Sequence, residues 1–486
     1  VPSRKPAPPA LRSNRLFDEI ALGESAVSRR VCTEHALYLF AQASRNINPL
    51  HIPDREARID ADGDPLTGAS APGLWIGALV SELVGSRLPG PGSNLRAFSL
   101  VYHQRVFAGT VVQTRVEVID KREPDLVIMD VRLTDDTGAL LASGQLEVYT
   151  PARRIEFEDE PLGEVIVDRH PHFERMVAAC AGAPPTRVAV VCPEDAVSLE
   201  GALAAWREGL IEPVLVGRRD RIEAAAEGLG ASIAAFELVE AGEHHAAAAK
   251  AVALAAAGQV GALMKGHLHT DELLRAVLAR EGGLRTDRRL SHVFVLDVPG
   301  RDRPLFITDA AININPDLAT KADIVRNAIC LAQACGIPKP RVGILSAIET
   351  VNPAIPSSID AAVLSKMAER GQITGGLVDG PLAMDNAVDL EAARTKGISS
   401  LVAGRADVLV APNMEAGNMM AKELSFVAYA ESAGIALGAA VPVILTSRAD
   451  KAYGRLVSCA LARLVAHWQR TGSSLVAPLD DATEPS

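Results

Sequence analysis

One segment, ADVLVAPNMEAGNMMAKEL over residues 406–424, constrains the fold more than any other part of the chain. The apolar run Val408, Leu409, Val410 leads straight into Ala411-Pro412-Asn413. A small-residue turn then holds Gly417 and Asn418, and a helical pattern follows from Met419. That order predicts a buried strand delivering a loop to a helix N-terminus. The first backbone N–H groups of a helix lack partners inside it, and a glycine there admits a charged oxygen close to the main chain. The segment is therefore a candidate anion site. LVDGPLAMDNAVD (residues 377–389) and VILTSRAD (443–450) repeat the design of an apolar strand ending in polar residues. Ligands in open α/β sheets gather at the carboxyl ends of strands, so three such ends predict one site.

The bulk properties exclude several classes. A chain of 486 residues with 48% hydrophobic and 22% charged residues has room for two or three domains, each with its own core. A net charge of -11 and only 4% aromatic residues argue against a nucleic-acid binder, while leaving room for a local cationic pocket. Cys32, Cys180, Cys192, Cys330, Cys335 and Cys459 form no CxxC pair, which predicts reduced, buried thiols and no zinc or disulfide framework. No apolar run approaches the roughly 20 residues of a membrane span, and the expectation is a cytoplasmic protein.

Residues 1–150 read as β-rich. Runs 97–106, 110–120, 125–136 and 139–150 fit consecutive antiparallel strands, and GLWIGALVSELVGSRLPGPG before them carries helical spacing with a Pro/Gly stop. A long helix wrapped by a curved sheet follows. Residues 151–168 mix charges with Pro and Gly and are expected to be a linker. From 169 to 486, strand and helix patterns alternate, which predicts parallel sheet with covering helices.

Several motifs carry a family resemblance. LMKGHLHTDELLRAVL (263–278), TDAAININPDL (308–318), DGPLAMDNA, APNMEAGNMMAKEL and LTSRAD are similar, in residues, order and spacing, to the phosphate acetyltransferase and phosphate butyryltransferase family. The butyryl branch looks closer than the acetyl branch. The resemblance implies two α/β lobes with a cleft between them, and a reaction of acyl-CoA with phosphate giving acyl phosphate and CoA, with no metal or other cofactor. It implies that Arg448 binds phosphate, its planar fork matching the oxygens, and that Ser447 donates to the thiolate or the developing oxyanion. The acid of the acetyl branch falls on Gly454 by register, which leaves Asp450 as the nearest general base, with Asp309 and Asp385 as alternatives. Lys265, Thr270, Asp309, Asn315, Asp379, Asp385, Gly417 and Asn418 are the candidates for binding substrate, with Asn46 and Asn48 in the N-terminal part.

FAQASRNINPLHIPDREA (40–57) resembles the hydratase motif of MaoC-like hot-dog domains. Asn48, Pro49 and His51 match, Asn46 stands where the family carries an Asp, and Ala71 where it tends to carry a His. An amide neither takes nor gives a proton at neutral pH, so the resemblance implies a single base, His51, or a domain kept for dimerisation or acyl-CoA binding. The fold class implied is an α+β hot-dog domain followed by a two-lobe α/β domain with parallel sheets, assembled as a homodimer or higher homo-oligomer. Two rivals stand beside it. A decarboxylating dehydrogenase of isocitrate type needs an aspartate metal cluster and a nicotinamide site, neither of which is found. An acyl-CoA-binding or scaffolding protein with decayed sites is opposed by the intact SRAD, GNMMAKEL and DGPL segments.

Overall fold

A computed structural model describes residues 11–53, 68–158, 165, 170–445 and 452–479. The chain divides into two units, Val1–Val167 and Asp168–Ser486.

The first unit contains β1 (Leu11–Ser13), β2 (Ser25–Val31), β3 (Asn94–Tyr102), β4 (Val111–Arg122), β5 (Leu126–Thr134), β6 (Leu140–Tyr149) and β7 (Glu156–Glu158). Strands β2 to β6 form an antiparallel sheet in the order β2-β4-β5-β6-β3. Along β4 the alternation predicted from sequence is realised, with Val112, Thr114, Val116 and Val118 buried. They share a core with Trp75, Ile76, Val80, Leu83 and Val84 of the helix Gly73–Ser86, so the unit is a hot-dog fold, a helix wrapped by a curved sheet.

Part of the expected linker is ordered and belongs to this unit, because β7 pairs antiparallel with β1. The buried side chain of Asn14 holds the return of the chain. Its Nδ2 donates to the carbonyls of Pro91 (3.0 Å) and Arg153 (2.9 Å), and its Oδ1 accepts from the Ile155 N–H (3.1 Å).

The strands of the second unit are β8 (Thr186–Val191), β9 (Ile211–Gly217), β10 (Glu237–Glu240), β11 (Ala262–Lys265), β12 (Ser291–Asp297) and β13 (Leu305–Thr308). They continue with β14 (Arg341–Leu345), β15 (Leu377–Leu382), β16 (Val408–Val410), β17 (Glu431–Leu437) and β18 (Val443–Ile444). Among the described residues these eleven strands make one sheet, ordered β10-β9-β8-β11-β18-β17-β12-β13-β16-β14-β15. The sheet is rich in parallel pairs, but β12 is antiparallel to both β13 and β17, and β17 is antiparallel to β18. The two parallel blocks, β10 to β18 and β13 to β15, therefore run in opposite directions, a reversal that the alternating sequence pattern does not announce.

Packing on the two faces differs. On one face a single core runs under both blocks and takes in Val293, Val295, Ala433 and Ile435. On the other face the core is broken in two. One part lies with β8, β9, β11 and β18, and includes Leu273 and Val277 of the helix Thr270–Val277. The second lies with β13, β14 and β16, and includes Ala421 of the helix Met414–Phe426. The break falls over the central β17–β12 pair, where the resemblance implies the cleft between the lobes.

Candidate active site

The register of the sheet sets the floor of the cleft. Met264 of β11 is opposite Ile444 of β18, Ile444 is opposite Ile435 of β17, Gly434 is opposite Phe294 of β12, and Phe294 is opposite Ile307 of β13. One residue further along β11 and β18 come Lys265 and Leu445. Asp309 comes directly after Thr308, the last residue of β13. Because the blocks are opposed, the carboxyl ends of β11, β18 and β13 all arrive at the middle of the sheet. Ser447, Arg448 and Asp450 follow Leu445 in the sequence and lie outside the described residues.

Asp309 is buried and fully occupied. Oδ1 accepts from the N–H groups of Ala311 (2.9 Å) and Ile312 (3.0 Å). Oδ2 accepts from the Asn313 N–H (3.1 Å) and from Asn313 Nδ2 (2.5 Å). A carboxylate with four donors folds its own loop, and its acceptor sites are taken up by protein. Asn315, further along this loop, is exposed.

The helix N-terminus expected to bind an anion is closed by protein. The Met414 N–H donates to the Ile314 carbonyl (3.1 Å), and Asn413 Oδ1 accepts from the Ala416 N–H (2.9 Å). Glu415 adds a negative charge to the first turn. Asn418 Nδ2 donates to the Ala310 carbonyl (3.0 Å), and a Cβ at Gly417 would stand 2.4 Å from the Asp309 carbonyl oxygen. Gly417 and Asn418 thus join the helix to the Asp309 loop; the close approach predicted at the glycine is that of backbone to backbone.

Lys265 faces the cleft side, the same side as buried Leu263. Its Nζ donates to the carbonyls of Gly266 (3.2 Å) and Leu268 (3.4 Å), which draws the ammonium back over its own loop. Thr270 opens the helix that follows, after His269.

Two candidates lie elsewhere. Asp379 is on β15, the outer edge strand and three strands from β13, about 14 Å at the usual strand spacing. Its carboxylate accepts from Gly380 N–H (2.8 Å) and from Ser365 Oγ (3.3 Å), on a helix packed against the other face. Asp385 pairs with Lys396 (3.1 Å), which holds its carboxyl below the usual range, with the Asn386 N–H adding to the effect. The structure thus does not bring Asp379 to the strand ends of β11, β18 and β13, and it ties the Asp385 carboxylate to a lysine. Gly454 has a physical reason to be a glycine: a Cβ there would meet the Ser432 carbonyl oxygen at 2.4 Å, so no acid fits that position.

The expected set also misses His292, a buried residue on the cleft face of β12. Inside SHVFVLD it reads as one more member of a buried strand.

In the first unit His51 is half-buried, and its Nδ1 lies 2.7 Å from the Ser70 carbonyl. A carbonyl only accepts, so Nδ1 carries the hydrogen and Nε2 keeps its lone pair. Asn46 Oδ1 accepts from the Asn48 N–H (3.2 Å) and Asn48 Oδ1 from the Leu50 N–H (3.1 Å), so both amides shape the loop leading to His51.

Opposed parallel blocks meeting over a cleft define a two-lobe α/β architecture, and comparison with known proteins gives it a family. The phosphate acetyl/butaryl transferase family model matches residues 242–462. The phosphate acetyltransferase of Rhizobium meliloti is 56% identical over 298 residues, which are 61% of this chain and 94% of that one. The phosphate butyryltransferase of Clostridium acetobutylicum is 45% identical over 280 residues, 58% of this chain and 93% of that one. Among solved structures, a branched-chain phosphotransacylase from Enterococcus faecalis is 32% identical with a TM-score of 0.52, covering 58% of this chain and 99% of that one. The chain belongs to the phosphate acetyl/butyryl transferase family and is an acyltransferase. The higher of the two relatives' identities belongs to the acetyl enzyme, opposite to the order expected from the motifs.

The joint between the helix Met414–Phe426 and the Asp309 loop yields a test. Gly417→Ala should push the helix off that loop and lower acyltransferase kcat/KM by roughly 10-fold or more. A variant with unchanged steady-state kinetics would show that the joint does not shape the site.

Proposed function

We propose that the second unit transfers an acyl group between CoA and inorganic phosphate. A phosphate oxygen attacks the thioester carbonyl carbon, the new C–O bond replaces the C–S bond, and the departing CoA thiolate takes up a proton. The observation that supports this most is the arrival of three strand ends, distant in sequence, over one cleft floor, with Ser447 and Arg448 next in the chain after the central one. In this reading Arg448 anchors phosphate through its fork, and Ser447 donates to the thiolate or the carbonyl oxygen as charge develops there. Asp450 is the carboxylate left for proton transfer, since Asp309 is saturated by donors and Asp385 is tied to Lys396. Acetyl-CoA and butyryl-CoA are the first acyl donors to try, after the names of the relatives.

Thiol release from acyl-CoA, measured with and without phosphate, tests the reaction, and Arg448→Lys tests the anchor. The lysine keeps the charge and loses the fork, so KM for phosphate should rise about 10-fold or more. The scaffold or binding reading forbids phosphate-dependent release of CoA, so a protein that releases none when phosphate is added supports that reading instead.

For the first unit we propose a hydratase-type domain with one proton-transfer group, His51 Nε2. General acid–base help is worth about 10²- to 10⁴-fold, so hydration of crotonyl-CoA should be slow, and Asn46→Asp should raise it by a factor of that order. Fast hydration by the natural protein with no gain from Asn46→Asp overturns this assignment.

We further propose a homo-oligomer built on hot-dog sheet edges. Among the described residues β3 pairs only with β6, and it leaves Leu95 and Val101 56% and 61% exposed on that edge strand. Light scattering should give a dimer or a multiple of it, and a 51.2 kDa species at micromolar concentration would contradict the proposal.

A further inference from the structure

His292 is a titratable side chain of the central strand β12, 2% exposed and on the face where the core is broken. The ring packs edge-on against Phe294, with centroids 4.6 Å apart. Its two nitrogens stand in different surroundings. Nδ1 is buried with no hydrogen-bond partner. Nε2 points at the space that the absent side chain of Gly434 leaves open: a Cβ on Gly434 would lie 2.8 Å from Nε2 and 3.3 Å from the Leu445 carbonyl oxygen. Nε2 and the last described carbonyl of the β18 segment therefore flank the same side-chain-free spot.

Burial holds the imidazole neutral, well below its usual titration range, against the opposing charge of Asp309. A neutral ring has one N–H. Placing it on Nε2 directs a donor toward the end of β18 and leaves only an unused lone pair at Nδ1. A phenyl ring would fill the same space without stranding a buried nitrogen, so packing alone does not account for a histidine here.

We propose that His292 is a positioning residue for acyl transfer, its Nε2 edge holding the end of β18 from which Ser447 and Arg448 follow. The inference rests on the acyltransferase reading and adds a residue to it. It also assigns a purpose to Gly434, which is bare so that the ring reaches across from β12. Backbone at the root of a catalytic loop needs a fixed donor, because a shift of about 1 Å in a reacting group costs on the order of 100-fold in rate.

The two nitrogens can be tested separately. His292→Gln places an amide near the reach of Nε2, His292→Asn near that of Nδ1, and His292→Phe keeps the ring and removes both. With the full chain, phosphate-dependent acyl-CoA cleavage should stay within about threefold for Gln. It should fall roughly 10- to 100-fold in kcat for Asn and Phe, with KM for acyl-CoA unchanged. Gly434→Ala, which sets a methyl against Nε2 and spares the ring, should reproduce the loss in kcat. Thermal melting separates these effects from unfolding; should the Phe variant not fold, Gln against Asn decides. Full activity in His292→Phe, in His292→Asn or in Gly434→Ala overturns the proposal, and so does equal loss in Gln and Phe at unchanged Tm. A natural protein that releases no CoA in response to phosphate is a separate result, which ends the acyltransferase reading before any variant is made.

Discussion

The antiparallel pairing of β12 with β17 is the joint on which the second unit depends. Seven residue pairs, from Ser291 with Leu437 to Asp297 with Glu431, reverse the direction of the sheet between its two blocks. Were the sheet parallel throughout, the carboxyl ends of all its strands would line one edge, and a ligand would sit on loops outside it. Reversal moves the meeting point inward. The strand ends of one block then face those of the other across the β17–β12 pair, and the floor of the site is main chain and side chains of the sheet itself.

A floor of that kind carries an electrostatic condition. Backbone and carboxylates near the middle of a sheet are dry, and each buried polar group needs a partner. Asp309 meets the condition with three N–H groups and one amide of its own loop. Asp407, deeper in the second block, meets it with the Arg303 guanidinium (3.2 Å) and the Arg341 N–H (2.8 Å), even as burial pushes its carboxyl up. Both acids are thereby partnered within the protein. The central acid is held by donors of its own loop, and in the proposed reading the cation for phosphate is Arg448, which follows β18 in the sequence.

Sequence showed those parts of the fold that depend on local period. The alternation in β4 and the apolar stripe of Gly73–Ser86 are each decided locally, whereas the helix expected from Met419 begins at Met414 and takes in Gly417 and Asn418, the residues read as its turn. Strand direction is not decided locally, because β12 and β17 are about 140 residues apart and nothing in SHVFVLD or ESAGIAL distinguishes a parallel neighbour from an antiparallel one. The same distance hid the pairing of β1 with β7, which depends on one asparagine, Asn14, reaching Ile155. Asp379 and Asp385 lie in a motif that does mark a strand end, and only the strand order shows that this end is at the sheet's rim.

The glycines in the motifs carry the most instructive difference. A glycine beside a helix start suggests room for a ligand oxygen, and that is how Gly417 reads in isolation. In the folded chain the approaching oxygen belongs to Asp309; at Gly454 it belongs to Ser432, and at Gly434 the approaching atom is the nitrogen of His292. Each bare position lets one element touch another at a distance a methyl group forbids, at Gly417 and Gly434 on the cleft side and at Gly454 on the opposite face. The cleft is thus shaped by contacts within the protein before any ligand arrives. Its walls can then hold reacting groups in register without spending the substrate's binding energy on closing them.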